Sequence, residues 1–250
     1  MYDDDLTTLN PDLEFADPLD ALGPPEENSA PPYDPEVMLP LLDATDPQQR
    51  MLAARAFCEV EDGRAIPALV RLLQDTCPLV RVSAAYALGR NPDPSAVDSL
   101  ITQLAADWNG YVRKGLVWAL GNSHDGRALF PLIDALKTDI PAVRLWAASA
   151  LAQMAQVGYE PVIAAIPPLI EAMRQDSVSA VRSNCAWAIG QLCRELPSNV
   201  VYHTAIDALI ETFAEDKDLG VREDARSAIL KVGDTRGLQV IEEIEQDGFF

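Results

Sequence analysis

Hydrophobic positions spaced three and four residues apart recur along the chain in six copies, each led by an Asp and an Arg. The arginines are Arg50, Arg81, Arg113, Arg144, Arg182 and Arg222, at steps of 31, 32, 31, 38 and 40 residues. Five of them follow Val, and each has an Asp four to six residues upstream: Asp46, Asp75, Asp107, Asp139, Asp176 and Asp216. Six residues after each Arg stands Ala (Ala56, Ala87, Ala119, Ala150, Ala188, Ala228). The next residue is always large and apolar: Phe57, Leu88, Leu120, Leu151, Ile189 and Ile229. Counted from the Arg as zero, positions three, four, six and seven share one helical face. The pattern predicts Ala-rich helices that pack closely on both neighbours. Gly89, Gly121 and Gly190 near their ends serve close approach or termination.

A second apolar helix is predicted beside each arginine helix, in "AIPALVRLLQ", "SAVDSLITQL", "ALFPLIDALK", "AIPPLIEAMR" and "TAIDALIETF". Pro67, Pro131 and Pro167 fall in its first turn, where a missing N–H costs little. The helix dipole disfavours an Arg in a first turn. The upstream Asp offsets this by capping the helix and pairing with the Arg of its own or the adjacent repeat. One helical pair cannot bury its apolar faces alone, so pairs must stack. The fold class is therefore all-α: a right-handed α-solenoid of about six helical pairs over residues 35–250, preceded by a leader at 1–34.

Positions two, five and nine lie together on the face opposite the Ala and Leu core. Position five reads Arg55, Tyr86, Trp118, Ser149, Trp187, Ser227, and position two places Trp146 beside them. Position nine supplies Glu59, Arg90, Asn122, Gln153, Gln191 and Lys231. An otherwise polar face thus carries four large aromatics over four consecutive repeats. Such rings either pack on one another or form a binding ridge on the concave side of the solenoid, since Trp, Tyr and Arg dominate interface energetics. The binding reading selects Arg55, Tyr86, Arg90, Trp118, Asn122, Trp146, Trp187 and Gln191 as partner- or ligand-contacting residues.

Charge changes the picture in one respect. The net charge is −20, which argues against nucleic acid and anionic membrane as partners. Residues 1–49 hold thirteen Asp and Glu and no Lys or Arg, so much of the imbalance lies in this N-terminal stretch and the body is only mildly acidic. The leader is Pro-rich, as in "ALGPPEENSAPPYDP", and reads as a disordered solubilising segment. Its Leu6, Leu9, Leu13, Phe15, Leu19 and Leu22 also give it the anchors of a docking peptide. An acidic N-terminus and the lack of a spanning apolar run argue for a soluble protein, and four scattered cysteines for the reducing cytoplasm.

Candidate chemistry is sparse. Neither His124 nor His203 sits in a metal-ligand spacing, and His124 reads as a loop residue capping the following helix. No phosphate loop, nucleophile elbow or carboxylate pair is present. Cys58 and Cys185 occupy small core positions, whereas Cys77 in a turn and Cys193 at a helix end are expected to be the more exposed pair. Cys185 and Cys193 are separated by ~12 Å of helical rise, and Cys77 and Cys193 by ~30 Å of stacked helices. One chain cannot gather four thiolates around one cluster.

The recurrent Asp, Val-Arg and Ala-Ala-x-Ala-Leu-Gly elements, as in "VRVSAAYALG", resemble the short form of the HEAT repeat, across roughly residues 36 to 246. That form is typical of phycobilin lyases and related cyanobacterial proteins. The resemblance implies no di-iron centre of the deoxyhypusine hydroxylase type, because the paired His-Glu motifs that centre needs are missing. Length, leader and repeat style are similar to cyanobacterial HEAT proteins associated with an A-type iron–sulfur carrier. That implies a non-enzymatic scaffold with no cofactor of its own. It would hold a protein partner and touch the partner's iron–sulfur cluster with at most one thiol, Cys77 or Cys193. The alternative implied by the same family is a phycobilin lyase or bilin-chaperone subunit acting on phycobiliproteins, alone or with a second HEAT chain. There Trp118 and Trp187 would stack on the bilin while Arg55 and Arg90 pair with its carboxylates.

Overall fold

The computed structural model describes residues 33–246. The leader and docking-peptide readings for residues 1–32 lie outside the described residues.

Each arginine helix begins after a residue in extended conformation and runs ten to fifteen residues. They are α2 (Pro47–Ala56), α4 (Pro78–Arg90), α6 (Gly110–Asn122), α8 (Pro141–Ala152), α10 (Ser179–Cys193) and α12 (Leu219–Val232). Between and around them run α1 (Pro35–Leu41), α3 (Ile66–Leu72), α5 (Val97–Ala106), α7 (Leu129–Thr138), α9 (Tyr159–Gln175), α11 (Val200–Glu215) and α13 (Thr235–Gln246). All regular structure among the described residues is helical, in two layers: even-numbered helices stack on one another, and the odd-numbered helices stack beside them. The arginine helices are the more intimately packed layer. Their Ala and Leu positions explain this: Ala84, Ala85, Ala87 and Leu88 of α4 and Ala147, Ala148, Ala150 and Leu151 of α8 are buried.

Glycine tightens the same layer. A Cβ on Gly121 would lie 2.8 Å from Ala150 Cβ and 3.0 Å from Ala150 Cα, and one on Gly190 would lie 2.9 Å from Ala228 Cβ. Gly89 leaves room for the ring of Trp118 in the next helix. All three lie inside their helices, so their role is close approach and not termination.

The Asp–Arg spacing becomes a ladder. Each guanidinium except that of Arg222, which donates to the Phe213 carbonyl at 2.8 Å, pairs with the Asp of the following repeat: Arg50–Asp75 at 2.7 Å, Arg81–Asp107 at 2.7 and 3.0 Å, and Arg113–Asp139 at 2.7 and 2.6 Å. Arg144–Asp176 follows at 2.6 and 2.7 Å, and Arg182–Asp216 at 2.8 Å twice. Each also donates back into its own turn, as Arg81 does to the Asp75 carbonyl at 2.9 Å and Arg113 to the Asp107 carbonyl at 2.9 Å. The Asp side chains accept turn N–H groups, from Cys77 to Asp75 and from Asn109 to Asp107, both at 2.8 Å. They fasten the turns ahead of the helices; only Asp46 is itself an N-cap, accepting from Gln48 N–H. Burial opposes ionisation of Asp75, Asp107, Asp176 and Asp216, yet the guanidiniums and turn N–H groups outweigh it and hold all four carboxyls below the usual range.

Two expectations need correction. Pro167 is not in a first turn: α9 starts at Tyr159, so Pro167 and Pro168 lie inside a 17-residue helix. The extra length of the two long C-terminal steps is helical, in α9 and the 16-residue α11, against ten residues each for α5 and α7. His124 does not cap the helix beyond it. It occupies the turn with φ 48°, and Asp125 accepts the Arg127 N–H instead.

Candidate partner-binding face

Positions five and nine of α4 to α10, with Trp146 at position two of α8, emerge together on the outward side of the arginine layer, whereas Ser83 and Gly115 at position two of α4 and α6 are buried. Tyr86 and Trp118 lie with ring centroids 5.3 Å apart, tilted by 52°. The Arg90 guanidinium stands 5.8 Å from the Trp118 ring centroid, and the Lys114 ammonium 4.8 Å from that of Trp146. These rings pack on one another and on neighbouring helices, so Tyr86, Trp118 and Trp146 are half-buried, while Trp187 is 36% exposed. Asn184 joins α10 to α8, donating to the Leu145 carbonyl and to Ser149 Oγ, both at 2.6 Å.

Packing leaves two hollows on this face. One, of about 90 Å³, is lined by Trp118, Gly121, Asn122, Trp146, Ser149 and Gln153. The other, of about 150 Å³, is lined by Trp187, Gly190, Gln191, Asp224, Ser227 and Lys231. The structure thus brings Tyr86, Arg90, Trp118, Asn122 and Trp146 together, and Trp187 with Gln191 in a second group. Arg55, exposed on α2, lines neither hollow.

The cysteines take no part in the face. Cys77 is half-buried ahead of α4. Cys193 is 1% exposed, against the expectation of an exposed helix end. It lies four residues beyond Ile189 and seven beyond Ala186, on the same buried stripe of α10. Burial pushes its thiol up to about 12, so it is not a thiolate at neutral pH. Cys185 is buried, as its small core position implies, whereas Cys58 is half-buried. Among the described residues no group of three or more His, Cys, Asp and Glu could hold a metal ion.

Two further features lay outside the sequence reading. A larger hollow of about 490 Å³ opens between α5 and α7, lined by Ile101, Leu104, Asp107, Arg113, Pro131 and Ile140 among others. Its Asp107 and Arg113 are engaged in the ladder, and Trp108 and Tyr111 stand exposed at the start of α6. Elsewhere Ser198 Oγ lies 3.1 Å from His203 Nε2, a nucleophile-and-base spacing. Arg236 Nη2 lies 3.1 Å from His203 Nδ1 and can only donate, so Nδ1 accepts and Nε2 carries the proton. The imidazole therefore donates to Ser198 and is no base for it.

Stacked two-layer helices joined by a repeating Arg–Asp ladder define the architecture, and residues 35–121, 97–190, 131–230 and 166–248 match the HEAT repeats family. The chain belongs to the HEAT-repeat family. No curated protein sequence matches it. This HEAT solenoid is similar to the crystal structure of an engineered protein, at 25% identity over 80% of this chain and 98% of that one, with a TM-score of 0.60. It is similar to the complex of CpcE and CpcF of phycocyanin lyase from Nostoc sp. PCC7120, at 24% identity over 87% and 83%, TM-score 0.57. A designed armadillo repeat protein in complex with the peptide (KR)4 matches at 22% identity over 79% and 98%, TM-score 0.56. None of the described helices is long and apolar enough to cross a membrane.

Proposed function

We propose that this HEAT protein is a non-catalytic, cytoplasmic scaffold that holds a protein partner on the outward face of α4 to α10. The observation that carries the reading is the pair of hollows between Trp118 and Trp146 and beside Trp187. At about 90 and 150 Å³ they fall below the ~300 Å³ at which small-molecule pockets begin. They suit single side chains, pressed between two indoles in the first and against one in the second, with Asn122, Gln153 and Gln191 in their linings. Central Trp residues in such settings are the usual energetic anchors of an interface.

The partner we favour is an A-type iron–sulfur carrier, from the resemblance in length, leader and repeat style to the cyanobacterial IaiH protein. In that role the scaffold brings no cofactor and shields a cluster the carrier holds. With Cys193 buried and protonated, any thiol lent to that cluster falls to Cys77. The test is anaerobic binding of a cluster-loaded A-type carrier to the purified chain, followed by calorimetry and cluster absorbance. A stoichiometric complex weakened by ~2–4 kcal/mol in Trp118→Ala with Trp187→Ala is expected. Unchanged affinity in a folded double variant would remove this face from the reading.

A bilin-handling subunit is the second reading, favoured by the likeness to CpcE and CpcF. Trp118 and Trp187 would stack on the bilin, with Arg55 and Arg90 on its carboxylates. The small hollows count against it, since neither encloses a tetrapyrrole. A bilin absorption band on mixing with bilin and an apo-phycobiliprotein would establish it.

A further inference from the structure

The two helix layers differ in charge. Helices α2, α4, α6, α8 and α10 carry eight Lys and Arg and no Asp or Glu, in a chain with 39 acidic residues. Helices α5, α7, α9 and α11 carry seven Asp and Glu against Lys137 and Arg174. Five of the eight cations are the ladder arginines, held by Asp carboxylates in the turns. The other three, Arg55, Arg90 and Lys114, point outward on the aromatic face. The charged ends of Arg90 and Lys114 lie over the indoles of Trp118 and Trp146, two of the rings that line the first hollow. Lys231 borders the second hollow, where the carboxylate of Asp224 also sits. Carboxylates are thus excluded from the helices that build the centre of this face, although the protein as a whole is strongly acidic.

Resting on the scaffold reading above, we infer that the partner's docking element is an acidic segment with apolar anchors. The anchors enter the two hollows, and carboxylates between and beside them meet Arg90, Lys114 and Lys231. One hollow lies between α6 and α8 and the other between α10 and α12, so two helix layers, ~16–20 Å, separate them. An extended segment covers that distance in about six residues. A phosphate backbone is disfavoured, because it sets one charge per nucleotide against only three or four cations and carries no aliphatic side chain to enter hollows of this size.

The probes are three synthetic peptides with two Leu anchors about six residues apart, carrying Glu, Gln or Lys at every other position, and a single-stranded oligonucleotide. Binding to the full chain is followed by calorimetry and indole fluorescence. The Glu peptide is expected to bind at least ~10-fold more tightly than the Gln peptide at low salt. That advantage should shrink as salt rises and should fall several-fold in Arg90→Gln with Lys114→Gln, while Gln-peptide affinity stays constant. Equal affinities that still respond to Trp118→Ala with Trp187→Ala overturn the charge selection and leave the scaffold reading standing. Preference for the Lys peptide, or tighter binding of the oligonucleotide, also overturns it. No binding, or binding indifferent to both Trp residues, overturns the inference and the docking face together.

Discussion

At single positions, what decides is what a neighbour leaves room for. Gly121 and Gly63 are both glycines in helical segments, but a Cβ on Gly121 would press on Ala150 backbone and side chain, while one on Gly63 meets nothing within 4 Å. Ala gains up to ~1 kcal/mol over Gly inside an α-helix such as α6, and less at Gly63, which opens a three-residue 3-10 turn. At Gly121 overpacking of ~1–3 kcal/mol outweighs the gain. Gly121→Ala should therefore lower the denaturation midpoint and Gly63→Ala leave it level or raise it; two shifts of the same sign would refute the account. Cys193 shows how a residue's surroundings are read wrongly from its place in the chain. A helix end suggests exposure, yet its spacing from Ala186 and Ile189 already put it on the buried stripe. The aromatic positions were legible in the opposite sense: their face followed from counting, whereas their mutual packing and the hollows depend on distances that counting does not supply.

Helices and turns are held by the ladder, and its members are unequal. Arg81 and Asp107 have 7% and 0% of their side chains exposed, and Asp107 also accepts from Gln103 Nε2 at 2.8 Å. Asp107→Ala strands a buried guanidinium and should cost ~3–5 kcal/mol. Asp43→Ala, which removes the exposed partner of Arg71, should cost less than ~1 kcal/mol. Urea midpoints of the two variants check the contrast, and comparable losses would mean the ladder is ornamental. The Asp and Arg were evident as a recurrent pair in sequence, but whether each Asp serves its own repeat or the adjacent one was open. Spacing alone cannot decide it, because the turn brings both within reach. The long α9 was hidden for a related reason: Pro167 and Pro168 look like a helix start, and they are tolerated inside one.

For the described solenoid, the four depressed carboxyls make stability depend on pH in one direction. Their folded values lie below the ordinary Asp value of about 3.9, so the folded state binds fewer protons than the unfolded chain in that range. The ladder's contribution is complete above that value and is lost as pH falls through the folded ones. Urea midpoints should stay level from about pH 5 to 8 as far as these groups are concerned and drop steeply below about pH 4. A midpoint unchanged down to pH 2 would show that the pairs add nothing to folding.

The direction of the pairing has a consequence for how such a chain changes length. From Arg50 to Arg182 each Arg reaches forward to the same kind of Asp in the same kind of turn, so each of these joints has interchangeable halves. Duplicating or excising one helical pair between two turns restores the same joint without altering a residue on either side. The outward aromatic positions take no part in that joint. An array built this way is free to rewrite what it displays from one unit to the next while its fastening stays common, as a row of identical hinges can carry different doors.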